Sequence, residues 1–194
     1  LETTAANELQ IRKATTKGMN PRCSMLMDPN GKLGEGGQRM VQIMSEPTYF
    51  PEYTKSNALG TYCPKFNSLS QTQKLQAWAW FWTALAQEES SCKVDAHHGT
   101  SYVRDGEHVI LNPREGYGLW AMERDRNVRR SRGAACENIG TVAGQSRCSI
   151  DIMLKHQLSK GHGASGGRGY WGPIRRESRD HQLMPHMRRL NLCF

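Results

Sequence analysis

The stretch "NSLSQTQKLQAWAWFWTALAQEES", residues 67–90, decides how the rest of the chain is read. Leu75, Trp78, Phe81 or Trp82, and Leu85 fall at three- and four-residue steps, the period of one helical face. Ser70 or Thr72 is placed to cap the N-terminus, and the pattern predicts a helix over residues 71–90. A helix with aromatic residues on more than one face belongs at the centre of a core. It ends in "ALAQEESSCKVDA", residues 84–96, where Glu88 and Glu89 stand side by side. The backbone dipole leaves a helix C-terminus negative, so cations are favoured there. Two glutamates behind "WAWFW" are electrostatically misplaced unless one of them serves as an acid.

Outward from this helix the signals are uneven. Residues 1–66 are rich in Met, Gly, Pro, Thr and Asn and weakly periodic. They read as an N-terminal extension, an extended segment packed on the main body, with one short helix near "GQRMVQIM" and a turn-rich loop at "DPNGKLGEGG". Residues 67–194 read as the main domain, the whole forming one unit. In "TSYVRDGEHVILN", Asp105-Gly106 separates two β-prone runs, Ser101 to Val103 and His108 to Leu111, which predicts a hairpin. A second helix is expected across "RCSIDIMLKHQL", with Ile150, Met153, Leu154 and Leu158 on its apolar face. "SKGHGASGGRG" is a glycine-rich loop. The pattern implies an α+β fold, mostly α, with a small β-hairpin.

Composition sets further bounds. With 194 residues the chain is long enough to bury a core of its own. No window reaches the roughly 20 apolar residues of a membrane span. The start, "LETTAANELQ", has no basic or apolar leader character, so the reading is that any signal peptide is already removed. A net charge of +8 suits an acidic partner or surface: nucleic acid, anionic lipid or anionic wall polymer. The six cysteines (Cys23, Cys63, Cys92, Cys136, Cys148 and Cys193) are widely spaced with no C-x-x-C pair, which favours disulfides and an oxidising compartment. Six cysteines allow about 15 connectivities. Cys136 with Cys148, the closest pair, is the one expected here, and Cys193 is placed to tie down the C-terminus.

The order of aromatic helix, terminal glutamate, hairpin and then "REGYGLWAM" resembles the lysozymes and soluble lytic transglycosylases that cut bacterial peptidoglycan. The transglycosylase signature opens with E-S and an Ala seven residues after the Glu; Glu89, Ser90 and Ala96 stand at that spacing. Gly118, Leu119, Trp120 and Ala121 occupy the place of its G-L-M-Q turn, and "GYGLWAM" is similar to the Y-G-I-L-Q stretch of animal lysozymes. "ENIGTVAGQSRCSIDIMLKHQL" looks like the helix that follows, and "RGYWGP" stands where many members carry A-Y-N. The resemblance spans residues 68–175 and leaves about the first 65 unexplained. It implies a lysozyme-like fold and a secreted or periplasmic monomer that cleaves the β-1,4 bond between MurNAc and GlcNAc without a cofactor or metal. It assigns Glu89 as general acid and later base, with Tyr170 assisting. Ser90, His98, Tyr117, Gly118, Leu119, Trp120 and Trp171 would orient or stack on the glycan.

A proton donor at neutral pH needs a carboxyl whose ionised form is disfavoured, and an apolar pocket does that by desolvation. Glu89 is placed for it, whereas Glu88 reads as structural or surface. Most glycosidases use a second carboxylate. Asp95, Asp105, Glu107 and Glu115 lie in or near the hairpin and remain open for that role, although lytic transglycosylases manage with one glutamate. The departures from the family pattern are three: Ala121 replaces the acetamide-binding Gln, His98 replaces a Ser, and Trp171 replaces the Asn of A-Y-N. Fewer polar contacts and more aromatic surface suggest an altered glycan preference. A lysozyme of the kind described in bacterial predators, selective for deacetylated peptidoglycan, would fit.

Three rival readings bracket this one. A zinc peptidase would draw on His97, His98, His156, His162, His181 and His186, but H-E-x-x-H is missing. A nucleic-acid binder would use "ERDRNVRRSRG" and "PIRRESRDHQLMPHMRRL", where interleaved Glu and Asp weaken a phosphate-tracking patch; no nucleic-acid partner is expected. The third reading keeps the fold as an inactive wall-binding module.

Overall fold

The computed structural model describes residues 18–98, 101–104, 107–110, 116–123, 136, 138–165 and 170–194. Its elements run α1 (Glu35–Met44), α2 (Phe50–Thr54), α3 (Gln71–Ser90), β1 (His97–His98), β2 (Ser101–Arg104), β3 (Glu107–Ile110), β4 (Gly116–Tyr117), β5 (Met122–Glu123), α4 (Val142–His156), α5 (Arg176–Gln182) and α6 (Met184–Met187). Short 3-10 turns connect several of them. The fold is α+β and mostly α.

Helix α3 begins where the capping signal places it. The Ser70 hydroxyl accepts the Gln73 N–H while the Gln73 side chain accepts the Ser70 N–H, a reciprocal capping box. From Lys74 to Ala86 every residue except Gln76 is buried, so α3 is enclosed on all sides by the core. Four of the five indoles find backbone acceptors. Trp78 donates to Tyr53 O at 2.8 Å, Trp80 to His186 O at 3.0 Å, Trp120 to Trp82 O at 2.9 Å and Trp171 to Trp120 O at 2.7 Å. These bonds let large aromatic side chains be buried without stranding their N–H groups.

The region up to residue 66 differs from the extended segment that its composition suggests. The described part, from residue 18 onward, holds a 3-10 turn at Pro21–Met25, α1 and α2. It also supplies Leu26, Met27, Met40, Ile43, Met44, Tyr53, Leu59, Tyr62 and Phe66 to the same core as α3. The signal was weak because Met and Tyr, arriving at irregular steps, do the work of Leu and Val. Helix α1 contains the expected "GQRMVQIM", and its early glycines let the 3-10 turn approach. A Cβ on Gly37 would lie 1.9 Å from Leu26 O. Helix α1 packs on both α3 and α4.

Helix α4 starts earlier than its apolar stripe indicates, because Thr141 caps it by accepting the Gly144 N–H at 3.1 Å. The expected hairpin is present as β2 and β3, paired antiparallel from Ser101↔Ile110 to Arg104↔Glu107. Its Asp105-Gly106 turn lies outside the described residues. A second sheet, in the order β1-β4-β5, was not foreseen, since two-residue strands are too short to show a period.

Three disulfides join Cys23 to Cys92, Cys63 to Cys193 and Cys136 to Cys148. The last is the expected pair, and Cys193 does anchor the C-terminus. A longer closed loop removes more freedom from the unfolded chain. Replacing Cys63 and Cys193, separated by 130 residues, should therefore cost more than replacing Cys136 and Cys148, separated by 12. The expected losses are about 5 and about 3 kcal/mol, read as unfolding free energies in guanidinium. A reversed order would show that the bridges act through native-state contacts instead.

Candidate active site

The last turn of α3 is held from several directions. Gln87 Oε1 accepts the Asn20 N–H at 2.7 Å, which ties the turn to the N-terminal segment. Glu88 Oε1 lies 2.7 Å from His186 Nε2, which ties it to α6. The Ser90 hydroxyl lies 2.8 Å from Leu119 O and 3.0 Å from Ala86 O, which ties it to the loop between β4 and β5. Ser91 and Cys92 then take left-handed backbone angles, with φ of 52° and 59°. Such angles cost non-glycine residues about 1–3 kcal/mol each. The Cys92 N–H returns to Ala86 O at 3.1 Å, and the Cys23–Cys92 bridge fixes the stop.

Glu89 is the exception in this turn. Its carboxyl makes no hydrogen bond or ion pair with the described residues, and it is half-buried. On the helix it shares a face with Ala86 and Trp82, three and seven residues back. Trp82 in turn meets the rings of Trp120 and Trp171 edge-on, with centroids 5.8 and 5.4 Å away. Burial, which strips water from the charged form, pushes the Glu89 carboxyl up to about 7. The Arg175 guanidinium opposes the shift, and the neighbouring Glu88 charge adds to it. Nothing basic sits in the last turn of α3, so the helix dipole also acts against a second negative charge there. A half-buried carboxyl that keeps its proton to neutrality and is bonded to none of the described residues is equipped to act as an acid.

The other expected site residues fall into two groups. Gly118 has φ of +78°, and a Cβ there would meet Gln145 Oε1 at 2.4 Å, so only glycine fits. Its N–H donates to Ala96 O at 2.8 Å, and the Leu119 N–H donates to Gln145 Oε1 at 2.8 Å. Tyr117 is half-buried, with its ring 5.2 Å from that of His97. The backbone of His98 pairs with Gly116. The Tyr170 hydroxyl accepts the Glu123 N–H at 3.0 Å, which ties the segment before α5 to β5. These residues surround the end of α3 and fix the loops there.

Leu119, Trp120 and Trp171 belong to the second group. They are 0%, 0% and 2% exposed and part of the core, so they present no face on which a sugar ring could stack. Trp171 uses its N–H on Trp120 O and packs edge-on against Trp82, which explains an aromatic in place of the Asn of the A-Y-N pattern. Among the candidate second carboxylates, Asp95 is exposed and Glu107 lies on β3, while Asp105 and Glu115 fall outside the described residues.

Two residues that position the site gave no usable signal in the sequence. Gln145, fully buried on α4, also donates to Val94 O at 2.8 Å and to Ile139 O at 2.9 Å, so one amide joins three loops. Arg175, the cation that faces Glu89, follows Trp171 by four residues in a run of arginines that reads as solvated charge. No group of three or more His, Cys, Asp or Glu side chains suited to a metal gathers among the described residues. Surface cavities of about 420 and 440 Å³ lie elsewhere, one by α1 and the start of α4, the other between residues 55–64 and 161–163. Neither is lined by Glu89.

Solved structures of DslA, a Bdellovibrio protein, share this arrangement of elements. The wild-type form superposes with a TM-score of 0.62 at 17% identity, covering 82% of this chain and 91% of that one. A variant with one Glu-to-Gln substitution superposes with a TM-score of 0.63 at 14% identity, covering 92% and 100%. This chain has the fold of DslA. No family model and no curated protein matches the sequence.

The raised Glu89 value has a consequence for stability with a definite sign. Its folded value of about 7 lies above the ordinary 4.5, so the folded state binds the proton more tightly. Stability from this group is full below pH 4.5 and is lost as the pH rises through 7. Glu89→Gln should therefore be more stable than the wild type at pH 8, by up to about 3 kcal/mol, and no different at pH 4. Thermal melts at the two pH values check this; equal melting at both would mean that Glu89 is well solvated.

Proposed function

We propose that this chain is a peptidoglycan-cleaving glycosidase, a muramidase acting on the β-1,4 bond between MurNAc and GlcNAc, with Glu89 as general acid and base. The observation that carries this reading is the half-buried Glu89 carboxyl at the end of the central helix, bonded to none of the described residues and protonated up to about pH 7. The fold shared with DslA supports it, and two of the DslA structures carry a Glu-to-Gln substitution, as made when a glutamate is suspected of chemistry.

In the reaction, the Glu89 carboxyl gives its proton to the glycosidic oxygen as the C1–O bond breaks. The sugar left behind carries positive charge at C1. The Glu89 carboxylate then takes a proton from the nucleophile that attacks C1, which regenerates the acid. With water as nucleophile the product has a reducing end; with the sugar's own 6-hydroxyl it is a 1,6-anhydro ring. Among the described residues near Glu89, Glu88 is already bonded to His186, which favours a single-acid site. Ala121, with φ of 44° in the loop after Gly118, offers no amide to an acetamido group. That loss is the remaining support for a preference for deacetylated glycan, since the two buried tryptophans do not enlarge the sugar-binding surface. The three disulfides suit a secreted or periplasmic enzyme.

Two measurements test this. Glu89→Gln should lower the release of glycan fragments from sacculi by at least about 100-fold while circular dichroism and sacculus binding persist. Undiminished lysis would remove Glu89 from the chemistry; loss of binding as well would show a folding defect. In the wild type, activity should fall on the alkaline side with a midpoint near 7, and mass spectrometry of the fragments distinguishes hydrated from anhydro ends.

A further inference from the structure

The Glu88–His186 contact is unlike the other ties on the last turn of α3. Gln87 and Ser90 are bonded to backbone groups of neighbouring segments. Glu88 is bonded to a side chain 98 residues away, with the two side chains 12% and 2% exposed. A carboxylate has no hydrogen to give, so His186 Nε2 must carry the proton in this contact. The backbone that carries the imidazole is held, because the His186 carbonyl accepts the Trp80 indole N–H and the segment beyond is bridged through Cys193 to Cys63. The charged groups around the cluster are Glu89 on α3, Arg175 ahead of α5, and Arg189, which sits over the Trp80 ring at 5.7 Å.

Resting on the reading of Glu89 as the acid, we propose that His186 is a positioning residue: by donating to the buried Glu88 carboxylate it fixes a negative charge beside Glu89 and keeps Glu88 out of the reaction. Burying a carboxylate is unfavourable unless a donor meets it. Without His186, Glu88 would lose the donor that holds it, and the negative charge would no longer be fixed beside Glu89. The purpose of two adjacent glutamates at a helix end is then division of labour. One is bonded to His186 and fixed; the other is bonded to none of the described residues and holds the transferable proton. Like charges close together make the second harder to ionise, so the bonded partner prolongs the protonated state of the free one.

The test is the titration midpoint of the Glu89 carboxyl, read by ¹³C NMR and assigned by its loss in Glu89→Gln, in the full chain with its disulfides intact. Glu88→Gln keeps an acceptor for His186 but removes the charge, and His186→Leu removes the donor. Both should lower the Glu89 midpoint by at least about half a unit, and the alkaline limb of glycan cleavage should move down with it. His186→Gln, which keeps an N–H donor, should retain the wild-type midpoint. An unchanged midpoint in Glu88→Gln overturns the proposal, as does a lowered midpoint in His186→Gln. Should His186→Leu fail to fold, the two glutamine variants still decide. The titration does not depend on turnover. A wild type that leaves peptidoglycan intact, yet whose Glu89 midpoint drops in Glu88→Gln, would sink the enzymatic reading and leave the coupling standing.

Discussion

A carboxyl group at the C-terminal end of an apolar helix, with aromatic side chains behind it and no donor bonded to it, resists ionisation for three separate reasons. Burial removes the water that would stabilise the charge. The helix dipole presents its negative end. A second carboxylate stands next in the chain. In this protein all three act on Glu89, and among the described residues Arg175 opposes them. The rest of the structure is arranged so that this carboxyl stays where these effects are strong.

That arrangement explains features that look unrelated in the sequence. The helix must be buried on every side to form the apolar wall, so the tryptophans in and around it need acceptors. Backbone carbonyls of Tyr53, His186, Trp82 and Trp120 supply them for Trp78, Trp80, Trp120 and Trp171, while the Trp82 N–H has no acceptor among the described residues. A buried helix must also stop abruptly where the site begins. The left-handed turn at Ser91 and Cys92 does this, held by the bridge to Cys23. The N-terminal region is thereby drawn into the site's support through both Asn20 and Cys23, although it carries none of the motif. From the other side, Gln145 locks the Gly118–Leu119 turn, and Ser90 reaches that turn from the helix.

Much of this was legible from residue type and spacing. The central helix, its cap, the hairpin, the Cys136–Cys148 bridge and the mostly α fold followed from periodicity, capping chemistry, a glycine turn and cysteine distance. Three things were not. The short helix α2 hid because Phe50–Thr54 is barely one turn, too short to show a period, whereas α1 was expected at "GQRMVQIM". The sheet of β1, β4 and β5 hid because its strands are two residues each. Side-chain direction hid most completely. Trp120 and Trp171 stand in the stretches that the resemblance assigns to the glycan and were expected to stack on sugar rings, yet here they are core, each with its N–H on a backbone carbonyl. His186 looked like one isolated histidine among several, because nothing in the sequence relates it to Glu88.

The most direct measurement on the central claim is the titration of the wild-type Glu89 carboxyl, followed by ¹³C NMR from pH 3 to pH 9 without substrate. A midpoint close to 7 is the predicted result. A midpoint at the ordinary value of 4.5 would contradict it, because Glu89 would then be an ionised surface group with no proton to deliver at neutral pH.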